Sequence, residues 1–260
     1  MPSCAVDDIE VHYEEGGEGP PLLLLNGLVA SAFLWPSAWL DRLERDHRVV
    51  RVSNRGTGHT PPGDEVTVPG MAADAAAVLD HLGIDRAGIL GFSMGGMVAQ
   101  ALALGAPERV GALVLVSTTT GGAVDVHPEF VAAISGSGGD TVSAAGAFFH
   151  LLTGPGFFEE NPASLGELAE GWQQAPTPPD TAVLQLTAAG MFDSRDRLHE
   201  ISAPTMVLHG IEDRLLMPAG GERLAAGITG ATLHTFEGVG HMLPFETASH
   251  TAEMVAAFLA

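Results

Sequence analysis

The residues in this sequence best suited to chemistry are a serine set between glycines and, later in the chain, an acid and then a histidine. Gly91-Phe-Ser93-Met-Gly95 carries glycine two residues before and two after the serine. A strand-to-helix turn tight enough to lift Oγ above a sheet needs that spacing, because a Cβ at either flank would collide with its neighbours. The pattern alone is weak: with 33 glycines and 13 serines in 260 residues, chance predicts about 0.2 matches. Its setting strengthens it. Ala87-Gly-Ile-Leu-Gly91 reads as a short buried strand, and Met94 to Leu104 as a helix that Pro107 stops.

A serine hydroxyl is a poor nucleophile near neutral pH and needs a base, which in turn needs a group to hold its tautomer. Two loops after Ser93 supply them in the order Ser, acid, His. Gly210-Ile-Glu-Asp213 follows an apolar strand, and Gly238-Val-Gly-His241 follows the last strand. The expected assignment is therefore Ser93 as nucleophile, Asp213 as acid and His241 as base. Glu212 stays open as the acid, and Asp213 also fits as a helix N-cap before Leu215. His209 ends a buried strand and reads as structural, His59 sits in a Gly-Thr-rich loop, and His234 alternates outward. An oxyanion would need two N–H donors. The amide of Met94, at a helix N-terminus, is one. The amide of Leu28, in the turn Asn26-Gly27-Leu28, is the other.

These groups need a sheet to hold them. Short apolar runs alternate with amphipathic stretches at the rhythm of βα units. Val6 to Tyr13 alternates like a pair of edge strands, with Glu14 to Pro21 as a turn. Pro21 to Asn26 is apolar on both faces, as a strand buried on both sides must be. Strands are also expected at Arg48–Ser53, Leu113–Val116, Pro204–His209 and Ala231–Phe236, and helices over Phe33–Arg45, Val68–Leu82 and Thr247–Leu259. From Thr118 to His199 the rhythm breaks. A structureless loop of that length is improbable in a compact domain, so 118–199 is expected to be a helical lid inserted between core segments 1–117 and 200–260. Its bulky residues include Phe148, Phe149, Phe157, Phe158, Trp172, Met191 and Phe192. Most should pack the insertion onto the core and a few should line a pocket.

Composition narrows the chemistry further. A net charge of −21, from 32 acidic residues against 11 basic ones that are all arginine, disfavours nucleic acid as a partner. The absence of lysine removes Schiff-base chemistry, a phosphate-loop lysine and a Ser-Lys dyad. One cysteine, Cys4, supports neither an internal disulfide nor a multi-cysteine metal site. No cofactor or metal is expected. The N-terminus lacks a cationic segment followed by an apolar one, and no apolar run there spans a bilayer. A cytoplasmic protein with no membrane partner is expected, and a homodimer is left open.

With these residues in view, the chain resembles the α/β-hydrolase superfamily over nearly its whole length. The likeness rests on Gly91-Phe-Ser-Met-Gly-Gly-Met-Val-Ala-Gln100, Asn54-Arg-Gly-Thr-Gly58, His209-Gly-Ile-Glu-Asp213 and Gly240-His-Met-Leu-Pro-Phe-Glu246. The run Ser93 to Met97 is similar to that of 3-oxoadipate enol-lactonases and of cofactor-free esterases and perhydrolases. Asn26 stands where the family often has histidine, and Asn54 where it often has aspartate. Haloalkane dehalogenases and epoxide hydrolases of this kind use aspartate at the elbow, so Ser93 disfavours both. An anionic lactone would want a cation, and the insertion offers only Arg195 and Arg197, both at its end. The expected function is hydrolysis of an ester or lactone of a small, largely apolar molecule through an acyl-enzyme. The alternatives are an enol-lactonase acting on an anionic lactone and a small-molecule-binding or biosynthetic member of the fold.

Overall fold

The computed structural model describes residues 1–122, 125–129 and 151–260. Phe148, Phe149 and His150 of the insertion lie outside the described residues. Eight strands form one sheet in the order β1-β2-β4-β3-β5-β6-β7-β8. The first pairings are antiparallel: β1 (Ser3–Val6) with β2 (Ile9–Gly16), and β2 with β4 (Arg48–Val52). All others are parallel, running through β3 (Pro21–Leu25), β5 (Ala87–Phe92), β6 (Val110–Val116), β7 (Thr205–Gly210) and β8 (Thr232–Phe236). The α/β-hydrolase architecture expected from the sequence is the one found, a mostly parallel sheet flanked by helices.

The unbroken apolar runs are explained by burial on both sides of the sheet. Leu23 and Leu25 of β3 pack with Val50, Ile89 and Leu113 under α2 (Val68–His81) and α3 (Met94–Gly105). Leu22 and Leu24 point the other way, joining Val49, Leu90 and Val114 against Trp39 of α1 (Ser37–Leu43) and Val255 of the C-terminal helix (Ala248–Leu259). Strand side chains alternate between faces, so only a strand covered on both can be apolar at every position.

Three local expectations are corrected. The strand β2 does not turn at Glu14 but runs on to Gly16, because Glu14 and Glu15 pair in register with Arg51 and Val50 and Glu15 holds Arg48 at 2.6 Å. The first helix begins at Ser37 rather than Phe33. The carbonyls of Ser31 and Leu34 are taken by the Asn26 side-chain amide at 3.2 and 2.8 Å, and Pro36 occupies the cap. A helix that the sequence pattern does not suggest, Ala219–Gly227, lies between β7 and β8 in the chain. Its glycines are poor helix formers but are needed for close approach. A Cβ on Gly221 would sit 2.9 Å from His209 Nδ1, and one on Gly220 would sit 2.9 Å from Thr119 Cβ.

Between β6 and β7 the described residues form helices Phe157–Glu160, Pro162–Gln174 and Pro179–Met191, with no strand among them. Among the described residues, no helix is long and apolar enough to cross a membrane.

Candidate active site

The residues of interest sit on loops at the carboxyl ends of the parallel strands, where open α/β sheets place their functional groups. Ser93 joins β5 to α3 with φ 55° and ψ −122°, a conformation that costs a side-chain-bearing residue about 1–3 kcal/mol. The flanking glycines make the turn possible. A Cβ on Gly91 would run into the Gly95 carbonyl, and one on Gly95 into the Leu25 carbonyl of β3.

His241 Nε2 lies 2.9 Å from Ser93 Oγ, and His241 Nδ1 lies 2.8 Å from Asp213 Oδ2. An ionised carboxylate only accepts hydrogen bonds, so Nδ1 carries the proton and Nε2 faces the serine as an acceptor. Asp213 and His241 are 2% and 3% exposed. No helix begins at Leu215, so the helix-capping role expected of Asp213 is corrected to that of a turn cap, which is compatible with facing the histidine. Its Oδ1 accepts from the Leu215 and Leu216 amides, both at 2.9 Å, which fixes the carboxylate while Oδ2 faces the histidine. Burial alone would push the Asp213 carboxyl up. The attraction of His241 and the hydrogen bonds from His209 and His241 outweigh it, holding Asp213 below the usual carboxylate range. Glu212 is exposed. His209 does more than end a strand: its Nε2 lies 3.0 Å from the Leu216 carbonyl and 3.3 Å from Asp213 Oδ2. His234 is exposed, as its alternation implied.

The turn after β3 abuts the serine, for a Cβ on Gly27 would lie 3.0 Å from Ser93 Cβ. Asn26 braces this turn by accepting from the Gly27 amide at 2.8 Å, and Asn54 donates to the Asn26 carbonyl at 3.0 Å. The two asparagines thus support the loop. Among the described residues neither the Leu28 nor the Met94 amide donates to a protein acceptor, and both residues line the cavity beside Ser93.

Glu246 went unnoticed in the sequence as a site residue. Its carboxyl accepts from the amides of Gly240, beside His241, at 3.0 Å and of Gly154 at 2.7 Å. It thereby ties the histidine loop to the segment that precedes helix Phe157–Glu160. Burial pushes this carboxyl up to about 7 against those hydrogen bonds.

A cavity of about 100 Å³ opens beside Ser93. Apart from Ser93 and His241, every described side chain lining it is apolar or aromatic, and none is an arginine. Leu152, Trp172, Leu186 and Ala189 reach it from between β6 and β7. Met191, counted among the bulky residues of that region, is 81% exposed and faces solvent. Among the described residues no group of histidine, cysteine and carboxylate side chains could hold a metal ion.

A second Ser–His–carboxylate line exists. Glu14 Oε1 lies 2.9 Å from His12 Nε2, and His12 Nδ1 lies 3.2 Å from Ser53 Oγ. Ser53 is 0% exposed, and its Oγ already accepts from the Ala32 amide at 3.0 Å. Ser53 is sealed from solvent whereas Ser93 lines a cavity, and that difference in access separates the two lines.

The family profile described as "alpha/beta hydrolase fold" matches residues 20–248. RutD of Azorhizobium caulinodans, named for carbamate hydrolysis, is 30% identical over 268 residues, spanning 99% of this chain and 98% of its own. Among solved structures, Est816, titled an N-acyl homoserine lactone degrading enzyme, is 28% identical with a TM-score of 0.86 and covers 99% of this chain and 100% of its own. The enol-lactonase from Burkholderia xenovorans LB400 is 25% identical with a TM-score of 0.87, covering 99% of both chains. With its sheet order, its strained serine turn and a profile match across most of its length, this chain belongs to the α/β-hydrolase family and is a hydrolase.

Proposed function

We propose that the protein hydrolyses a carboxylic ester or lactone of a small, largely apolar molecule through an acyl-enzyme. The observation that carries this reading is the hydrogen-bonded line Asp213–His241–Ser93 opening onto an apolar cavity. As Ser93 Oγ attacks the carbonyl, His241 Nε2 takes its proton, and Asp213 stabilises the imidazolium without itself being protonated. Negative charge develops on the former carbonyl oxygen, where the Leu28 and Met94 amides would receive it. Collapse expels the alcohol, protonated by His241, and leaves Ser93 acylated. Water, deprotonated by the same histidine, then releases the acid. The relatives are named for a carbamate, an N-acyl homoserine lactone and an enol lactone, compounds that each carry an acyl carbonyl, which supports the same chemistry here. Within segment 118–199 the described helices from Phe157 to Met191 serve as the lid, and core segments 1–117 and 200–260 hold the reacting groups. A fluorophosphonate probe tests the assignment: adduct mass on the peptide containing Ser93 is expected, and no adduct there would overturn it.

The cavity also sets the expected specificity. Burial of apolar surface contributes about 25 cal/mol per Å², or up to ~0.8 kcal/mol per methylene, so kcat/KM for p-nitrophenyl esters should climb up to roughly fourfold per added carbon. It should fall abruptly once the cavity is full. An anionic acyl group would be stranded without a counter-charge among the described lining residues. A flat acyl-length profile, or a preference for a dicarboxylate-derived lactone over its neutral analogue, would replace this reading with the enol-lactonase one. Absence of turnover on all of them, with Ser93 unlabelled, would favour a binding or biosynthetic role.

A further inference from the structure

The loop that carries Leu28 is held at the next residue by the lid region. Val29 is β-branched and sits at φ 56°, a region such residues rarely occupy and that costs about 1–3 kcal/mol. Both polar groups of Val29 are gripped from one side. Its N–H donates to Gln185 Oε1 at 2.9 Å, and its carbonyl accepts from Thr177 Oγ1 at 2.9 Å. The other end of the glutamine is used as well, since Gln185 Nε2 donates 2.8 Å to the Arg55 carbonyl. Arg55 is itself fixed, pairing with Asp74 at 2.6 Å through a doubly hydrogen-bonded guanidinium. Gln185 is 0% exposed. A buried amide is costly unless paired, and here both of its ends bridge the Leu28 loop to the loop after β4.

Gln185 lies on helix Pro179–Met191, whose Leu186 and Ala189 line the cavity beside Ser93. One helix therefore walls the substrate space and fixes the peptide next to the Leu28 amide. We propose that Gln185, assisted by Thr177, is a positioning residue that orients the Leu28 N–H toward the developing oxyanion, so that a seated lid and a competent oxyanion site are one condition. This rests on the reading of Ser93 as nucleophile and of the Leu28 amide as oxyanion donor. Gln185 touches no reacting atom. Its effect must therefore appear in the turnover step and not in substrate binding.

The test compares wild type with Gln185→Leu, Gln185→Glu, Thr177→Val and Ser93→Ala, using p-nitrophenyl butyrate kinetics and the rate of fluorophosphonate labelling. Gln185→Leu should lose about 10- to 100-fold in kcat, because a displaced donor forfeits much of what a lost one does. Its KM should stay within about threefold of wild type, and labelling should slow in parallel. Gln185→Glu retains the acceptor for the Val29 amide and should recover part of the kcat. Thr177→Val should show a smaller loss in the same parameter, and it decides the matter if Gln185→Leu does not fold. Unchanged kcat in the variants that fold, or a rise in KM alone, overturns the proposal even where thermal stability falls. Hydrolysis that persists in Ser93→Ala would instead overturn the reading of the site, and this proposal with it.

Discussion

Ser93→Ala and His241→Ala should each lower kcat/KM for an ester by about four to six orders of magnitude, and the double variant should be scarcely worse than either single one. The hydroxyl and the imidazole are 2.9 Å apart and act on the same proton. Removing Oγ leaves His241 with nothing to activate, and removing the imidazole leaves a hydroxyl that stays protonated near neutral pH. In the proposed mechanism only the amides of Leu28 and Met94 and the cavity then remain to act on the substrate. Initial rates with p-nitrophenyl butyrate on the three variants check this. Losses that multiply independently would mean that the two side chains do not act as one unit.

Asp213→Asn should fold and yet lose about 10⁴-fold in kcat. An asparagine can keep its oxygen toward the Leu215 and Leu216 amides, which the aspartate already serves through Oδ1. Its NH₂ must then face His241 Nδ1. That nitrogen becomes an acceptor, the proton moves to Nε2, and the histidine can no longer take a proton from Ser93. The exposed Glu212 should matter little when changed to Gln. The sign of the pH effect on stability follows from the depressed carboxyl. Asp213 stabilises the fold above its unfolded value, about 3.9, and that contribution is lost as the pH falls toward its lower folded value. The stability difference between wild type and Asp213→Asn should therefore narrow on acidification below about pH 4. Denaturant melts across pH 3 to 7 measure it. A difference that widened toward low pH would contradict the depressed carboxyl.

Much of this arrangement was legible because the chemistry is local to short stretches of chain. Gly91 and Gly95 are set by collisions within a few residues and with the adjoining strand, so the pattern shows in the sequence. The order of Ser93, Asp213 and His241 follows from the order of the strands. Leu28 could be placed because Gly27 marks a turn directly after an apolar strand. What stayed hidden depends on residues far apart in the chain. Gln185 reads as an ordinary helical glutamine until the fold brings Val29 to it across 156 positions. Helix Ala219–Gly227 was missed because its glycines answer to His209 and Thr119, which belong to other elements. The strand runs past Glu14 because Glu14 pairs in register with Arg51 and Glu15 holds Arg48, contacts made with residues far along the chain.

The strained turn at Ser93 also bears on how this protein balances endurance against work. Replacing alanine by glycine ordinarily destabilises a fold by about 0.4–1 kcal/mol, because glycine has more freedom to lose. At position 93 the sign should reverse. Both replacements lack the hydroxyl, but alanine must still hold its Cβ at φ 55° and ψ −122°, whereas glycine adopts that conformation without a steric penalty. Ser93→Gly should accordingly melt above Ser93→Ala, and the gap between them measures what the fold gives up in robustness to keep a reactive side chain where it is.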